Sequence, residues 1–269
     1  MSLLKLRHRL QTVKSLSSIF SALQVVTVVR TQKTRQAYSS INKYLSAMKG
    51  ALSGRIHPST LPEKVLVVIT SNRGLCGNFN QAVVSVVDQF LKTYPTTRLV
   101  LIGKTGYNLL RGKTKKLLFS EADVIEKPNF NSAARLFKRI YEINAEIYLA
   151  FNVYKSALVQ EPKIKRLYPL PEELVAADKT TDLILEPNPA LLVEKLFYHY
   201  LETLFFQSLL NSYMGELAAR FMVLKGAVDN SHDIIDDLTL SINKSRQADI
   251  TKDLLEIVSA AEAMRRDYE

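Results

Sequence analysis

The first 57 residues show apolar positions at Leu3, Leu6, Leu10 and Val13, and again at Ile41, Tyr44, Met48 and Leu52. These steps of three and four place one face of a helix. There is no proline before Pro58, and His57-Pro58 closes the segment. Such a helix is about 80 Å long at the usual rise per residue, longer than a compact domain is wide.

The pattern then changes to short apolar runs alternating with amphipathic stretches. Val65 to Thr70 reads as a buried strand. Phe79 to Tyr94 reads as a helix stopped by Pro95, and Arg98 to Ile102 as a second strand. Tyr107 to Arg111 reads as a short helix, and Lys116 to Phe119 as a third strand. Asn131 to Asn144 is helical, Ala145 to Tyr154 is a strand, and Ile164 to Leu170 a further strand. This alternation predicts a small parallel or mixed sheet with helices on its faces. Pro162, Pro169, Pro171, Pro187 and Pro189 mark its end.

After Pro189 no proline appears, and only Gly215 and Gly226 interrupt. Phe221, Leu224, Val228, Ser231, Ile235, Leu238, Ile242 and Ser245 are spaced alternately by three and four, the seam of a left-handed coiled coil. Beyond Ser245 the register slips, with apolar residues at Ile250, Leu254, Ile257, Ala261 and Met264. Two long helices must each bury a stripe, and a domain between them lets them fold back on each other. The expected fold class is therefore α/β, with a long antiparallel coiled coil of N- and C-terminal helices and a central Rossmann-like α/β domain. The expected divisions are 1–57, 58–188 and 189–269, a rod with a globular foot and a bend near Gly215.

Charge sharpens this picture. The chain of 269 residues carries a net +10; ten of its 36 basic residues lie in the first 57 positions, with no acid among them. The 26 that remain match the 26 acids, so the excess resides in the first segment. That segment is either an arm for nucleic acid or acidic lipid, or a helix lying against an acidic partner. The stretch from Glu216 onward carries more acids than bases and is one such partner. Lys5, Arg7, Arg9 and Lys14 precede an uncharged span, Ser15 to Val29. Serines dilute it and no cleavage site follows, so a signal peptide is not expected. At fifteen residues the span is also short of the roughly 20 a membrane helix needs. A single cysteine makes no internal disulfide, which fits a reducing compartment.

The segment from Ser71 to Asn80, SNRGLCGNFN, invites a chemical reading, since it follows a strand and holds two glycines and the lone Cys76. A P-loop needs G-x-x-x-x-G-K-[ST], and a dinucleotide loop needs G-x-G-x-x-G; neither occurs here. Gly103-Lys104-Thr105-Gly106 lacks the upstream glycine and reads as a strand-to-helix turn. A Cys76 nucleophile needs a base, and none of His8, His57, His199 or His232 is placed by spacing to serve. No paired Cys or His spacing suits a metal, and no cofactor is implied. The expectation is a non-catalytic chain, with a scaffold or nucleic-acid-binding role for the basic helix as the alternative.

Four stretches together resemble the gamma subunit of F-type ATP synthases. They are the loop SNRGLCGNFN, similar to S-D-R-G-L-C-G-x-x-N; Gly215 to Asn230, GELAARFMVLKGAVDN; Asn243 to Met264, NKSRQADITKDLLEIVSAAEAM; and the N-terminal LRHRLQTVKS. The resemblance runs end to end. It implies a rotor shaft in the central stalk, which couples ion-driven rotation of the c-ring to conformational cycling of the catalytic beta subunits. The implied partners are alpha, beta, epsilon and the c-ring, with neither nucleic acid nor a direct membrane span. The implied place is peripheral, on the cytoplasmic face of a bacterial plasma membrane. Residue by residue, the resemblance makes Arg246, Gln247 and Thr251 the contact with a beta-subunit catch loop. It makes Glu216 and Arg220 an ion pair of the shaft, and Arg73, Gly74, Cys76 and Gly77 the family's loop motif. The chain departs from the family at Asn72 (usually Asp), Gly215 (usually Ser), Asp253 (usually Glu) and through the run Val25, Val26, Thr27, Val28 and Val29.

Overall fold

The computed structural model describes residues 3–52, 61–170 and 188–266. Two helices dominate: α1 (Leu3–Leu52) and α6 (Pro189–Arg266), 50 and 78 residues long. Between them run β1 (Lys64–Ile69), α2 (Phe79–Thr93), β2 (Arg98–Ile102), α3 (Lys104–Leu109), a 3-10 turn (Arg111–Lys116) and β3 (Leu117–Glu121). Then follow α4 (Asp123–Glu126), α5 (Phe130–Tyr141), β4 (Glu146–Tyr154) and β5 (Gln160–Tyr168). The expected closure of the first helix at His57-Pro58, and Pro171 and Pro187, lie outside the described residues.

The five strands form one sheet in the order β3-β2-β1-β4-β5. The first four are parallel and β5 runs antiparallel along β4. Because side chains alternate across a strand, β1 feeds two cores. Val65, Val67 and Ile69 pack with Leu45, Met48 and Leu52 of α1, with α5, and with Leu201, Phe205 and Leu209 of α6. Leu66 and Val68 pack with Val83, Val84 and Val87 of α2. Each large side chain so buried contributes about 1.5–3 kcal/mol.

Several boundaries differ from the sequence expectation. The short helix after β2 starts at Lys104 rather than Tyr107, because Gly103 turns the chain at φ 98° directly off the strand. α5 begins at Phe130 because the side chain of Asn129 accepts the Ser132 N–H at 2.9 Å, making Asn129 the cap. β5 begins at Gln160, and its Pro162 is tolerated because β5 is an edge strand. α6 continues as helix through Gly215 and Gly226.

The chain divides into two compact units, and the division cuts through both long helices. One comprises Met1–Val26 with Leu224–Glu269, the other Thr27–Val223. In the larger unit α1 and α6 are antiparallel: Gln207 Nε2 donates to Asn42 Oδ1 at 2.6 Å, and Asn211 Nδ2 donates to the Tyr38 hydroxyl at 3.0 Å. The inward face of α1 there holds Leu45, not the expected Tyr44, which is 49% exposed. The seam runs Tyr38, Ile41, Leu45, Met48, Leu52, in heptad steps.

In the smaller unit the seam of α6 follows the expected positions. Leu224, Ser231 and Leu238 are buried, and Val228, Ile235, Ile242 and Ser245 are half-buried. On α1 its counterpart is Leu3, Leu6, Leu10, Val13, Ser17, Phe20 and Gln24. A second stripe, Leu16, Ile19, Leu23 and Val26, has the same three-four spacing, is more apolar, and is exposed. α1 therefore contains an 18-residue window of mean hydropathy 1.4, of which 11% is buried. By length and composition alone that helix can cross a membrane, which corrects the expectation drawn from Ser15 to Val29. The expectation counted only the uncharged span, while an 18-residue stretch around it must take in Lys14 or Arg30 and still averages 1.4.

Candidate functional site

The loop from Ser71 to Asn80 sits at the C-terminal end of β1, the central strand. Its interior is a closed set of hydrogen bonds. The Ser71 N–H donates to Asn80 Oδ1 at 2.9 Å, and Asn80 Nδ2 donates to Ser71 Oγ at 2.8 Å and lies 3.2 Å from Cys76 Sγ. Asn72 Nδ2 donates to the Ala122 carbonyl at 2.8 Å while its Oδ1 accepts the Lys104 N–H at 3.0 Å. An aspartate could accept in this way but could not donate, which gives the departure from the family's acid a physical basis. Leu75 and Gly77 both take positive φ, 58° and 57°, so the chain reverses into α2 within a few residues.

This geometry removes the chemical readings of the loop. Cys76 is 3% exposed, and burial pushes its thiol up, against the pull of its Ser71 contact. The cavity beside it is lined by Phe79, Ala82, Asn152, Leu158, Gln160, Ala219 and Met222, with no histidine or carboxylate on its walls. A phosphate cradle needs free backbone donors, and those of the neighbouring turn are spent. The Gly103 N–H bonds the Glu121 carbonyl, Thr105 the Ser71 carbonyl, and Gly106 the Thr70 hydroxyl. Gly103 and Gly106 are required by packing, since a Cβ on either would lie within 2.5 Å of Thr70. His199 packs edge-on against Tyr44 and Phe130, with Nδ1 2.9 Å from Glu202. Among the described residues no group of three or more His, Cys, Asp or Glu could hold a metal.

Charged residues join this loop to α6. Glu216, 5% exposed, pairs with Arg220 at 2.6 Å. Burial raises the Glu216 carboxyl above its usual range, and Arg220, then Arg73 and Arg30, oppose that shift. The same Arg220 Nη2 lies 3.4 Å from the carbonyl oxygens of Arg73 and Gly74. Arg73 in turn pairs with Glu126 of α4. Four of the residues singled out in the sequence, Arg73, Gly74, Glu216 and Arg220, thus meet at one place, with Cys76 and Gly77 in the same loop. Sequence reasoning missed Glu126, Asn80 and Asn152; Asn80 stood in the motif, but nothing local pointed to the others.

Arg246, Gln247 and Thr251 lie elsewhere, on the smaller unit. All three are exposed, and the Thr251 hydroxyl donates to the Gln247 carbonyl at 2.9 Å. Burial along α6 ends at Ser245, and from Arg246 to Ala261 every residue is exposed, including Leu254, Leu255, Ile257 and Val258. Such a run of uncovered apolar residues is uncommon on a protein surface that no partner covers.

Comparison with known proteins is consistent along the whole chain. Residues 2–264 match the family model described as ATP synthase. The chain is 32% identical to the ATP synthase gamma chain of Pelotomaculum thermopropionicum and 30% identical to that of Trichlorobacter lovleyi. Each alignment covers 98% of this chain and 99% of the relative. Its fold is similar to that of a chain in the cryo-EM structure of the Euglena gracilis mitochondrial ATP synthase (OSCP, F1 and c-ring), with TM-score 0.74 at 18% identity. That match covers 99% of this chain and 96% of the other. A chain in the central stalk and c-ring structure of the Tetrahymena thermophila mitochondrial ATP synthase gives TM-score 0.58 at 23% identity, covering 80% and 99%.

Proposed function

The chain belongs to the ATP synthase gamma-chain family, and from that premise we propose that Arg246, Gln247 and Thr251 form its grip on a beta subunit. The chain is the non-catalytic shaft of the central stalk. Ion-driven rotation of the c-ring turns it within the alpha and beta ring, together with epsilon, and the turning carries each beta site through its cycle; hydrolysis drives the cycle backward. The nucleic-acid and scaffold readings of the basic first segment give way to this one.

The observation that carries the proposed grip is the end of burial at Ser245. Beyond it α6 offers a bare surface on which Arg246 makes no ion pair among the described residues, leaving its planar fork for a carboxylate. Leu16, Ile19, Leu23 and Val26 are assigned by the same logic to a bearing face against the ring. The stalk is part of a peripheral membrane complex, and the bacterial relatives favour the cytoplasmic face of the plasma membrane. Functionally, residues 1–57 and 189–269 are read as the shaft and 58–188 as its foot, since every described strand lies between Lys64 and Tyr168. Reconstitution with alpha and beta subunits tests the reading: ATP-driven rotation is expected, and failure of the chain to join the ring overturns it. Protease access to the chain on inside-out but not right-side-out vesicles checks the side of the membrane.

A further inference from the structure

Near Glu216 α6 leaves the core of the larger unit. Upstream, Leu201, Phe205, Leu209 and Leu217 are buried; from Ala219 to Val223 each residue is only half-buried. Here Arg30 of α1 reaches Tyr213, and Phe79 of α2 and Gln160 of β5 lie against Gly215, while the β1–α2 loop and α4 add the contacts that follow. Arg220 Nη2 bridges Glu216 on its own helix, at 2.6 Å, and the carbonyls of Arg73 and Gly74 across the gap, at 3.4 Å. One turn on, a Cβ on Gly77 would lie 3.6 Å from Val223 Cγ2, so the loop backbone passes close to that side chain. One turn back, the Tyr213 hydroxyl reaches the Glu126 carbonyl at 3.4 Å, and Glu126 also pairs with Arg73. The loop cannot yield easily, because its inner side is tied by Asn80 to Ser71 and Cys76.

We infer that Arg220 is a positioning residue that clamps the β1–α2 loop onto α6 where the helix leaves the core, and that this clamp sets the torsional stiffness of α6 at that point. Each further contact on a helix lowers its twist under load, and the loop adds one beyond those from α1, α2 and β5. The buried Glu216 keeps the guanidinium from turning away to water, since parting the pair would leave a buried carboxylate without its hydrogen-bonded partner, with only the charges of Arg73 and Arg30 nearby. All three contacts fall on the one Nη2, whose two N–H groups are shared among a carboxylate and two carbonyls. The mechanical consequence rests on the rotor reading above; the clamp itself does not.

Two variants test it: Arg220→Ala, and the double variant Glu216→Met with Arg220→Met. The double variant removes the clamp without stranding a charge, so it remains informative if the alanine variant fails to fold. In the isolated full chain, amide hydrogen exchange at 72–78 and 218–223 is expected to quicken about tenfold, with 200–212 unchanged. In the assembled complex, a single-molecule probe on the loop domain is expected to show a broader angular spread while the unloaded ATP turnover stays the same. Unchanged exchange overturns the clamp. Faster exchange with an unchanged angular spread overturns its mechanical role. If the unaltered chain joins no alpha and beta ring, the rotor reading and the mechanical role fall together, and the exchange result still decides the clamp.

Discussion

The two compact units share the same pair of helices and use them in opposite ways. In Thr27–Val223 the apolar side chains of α1 and α6 turn inward: Leu45, Met48 and Leu52 meet β1, and Leu201, Phe205 and Leu209 are nearly sealed from solvent. In Met1–Val26 with Leu224–Glu269, the buried apolar side chains among the described residues are Leu6, Leu224 and Leu238. Ser17 and Ser231 occupy seam positions beside them, while Leu16, Ile19, Leu23 and Leu254 face out. The first unit is built to hold itself together. The second leaves most of its large apolar residues exposed, and its own seam is correspondingly thin.

The widest gap between the units is expected in stability. Phe205→Ala empties a fully buried site and is expected to cost about 3–5 kcal/mol in denaturant unfolding of the isolated chain. Leu254→Ala, on the bare surface, is expected to stay within about 0.5 kcal/mol of the parent. Similar losses at both sites would end the contrast. Next, Arg246→Ala is expected to leave unfolding unchanged and to lower rotation-coupled ATPase about tenfold, the scale of one charge-assisted hydrogen bond. A variant that unfolds more readily but turns over normally would move Arg246 from the partner surface into the fold.

A smaller effect is expected at high pH. Burial and then the neighbouring Tyr168 push the Tyr141 hydroxyl up to about 12, above its ordinary value near 10. The folded chain therefore holds this proton where the unfolded chain has released it. The contribution is intact below about pH 10 and declines as pH rises toward 12. Ultraviolet titration of tyrosinate in folded and denatured chain measures it, and coincident curves would refute it. The least effect is expected at Ser17, whose replacement by alanine adds helix propensity at a seam position. Helical content of the isolated chain is expected to rise, by the equivalent of about 0.5 kcal/mol. A fall would mean that the serine makes a contact across the seam.

Much of this could be read from spacing. The strands β1, β2 and β4 and helix α2 lie within a residue or two of their expected bounds, because each is an apolar or amphipathic run bounded by polar residues or a breaker, Gly103 after β2 and Pro95 after α2. The α6 seam from Phe221 to Ser245 is the less exposed face as expected, with Leu224, Ser231 and Leu238 buried and the other positions half-buried, since heptad spacing in one helix specifies its stripe. The loop at Ser71 to Asn80 is a turn, as the missing phosphate motifs implied. Placement of Tyr44 on the inner face of α1 did not survive, because Tyr44 and Leu45 are both apolar and period alone does not choose between them. The two stripes near Leu16 and Ser17 pose the same ambiguity, resolved against the more apolar one.

By itself, then, the sequence determined where helices and strands form and that two long helices must find partners, because backbone periodicity is written into local spacing. Only the tertiary structure decided which stripe of α1 faces inward, the strand order β3-β2-β1-β4-β5, and the meeting of Glu216 and Arg220 with a loop some 140 residues earlier. Those outcomes depend on which surfaces compete for the same buried area and on which carbonyls are left needing a donor. Neither quantity exists until the chain has closed on itself.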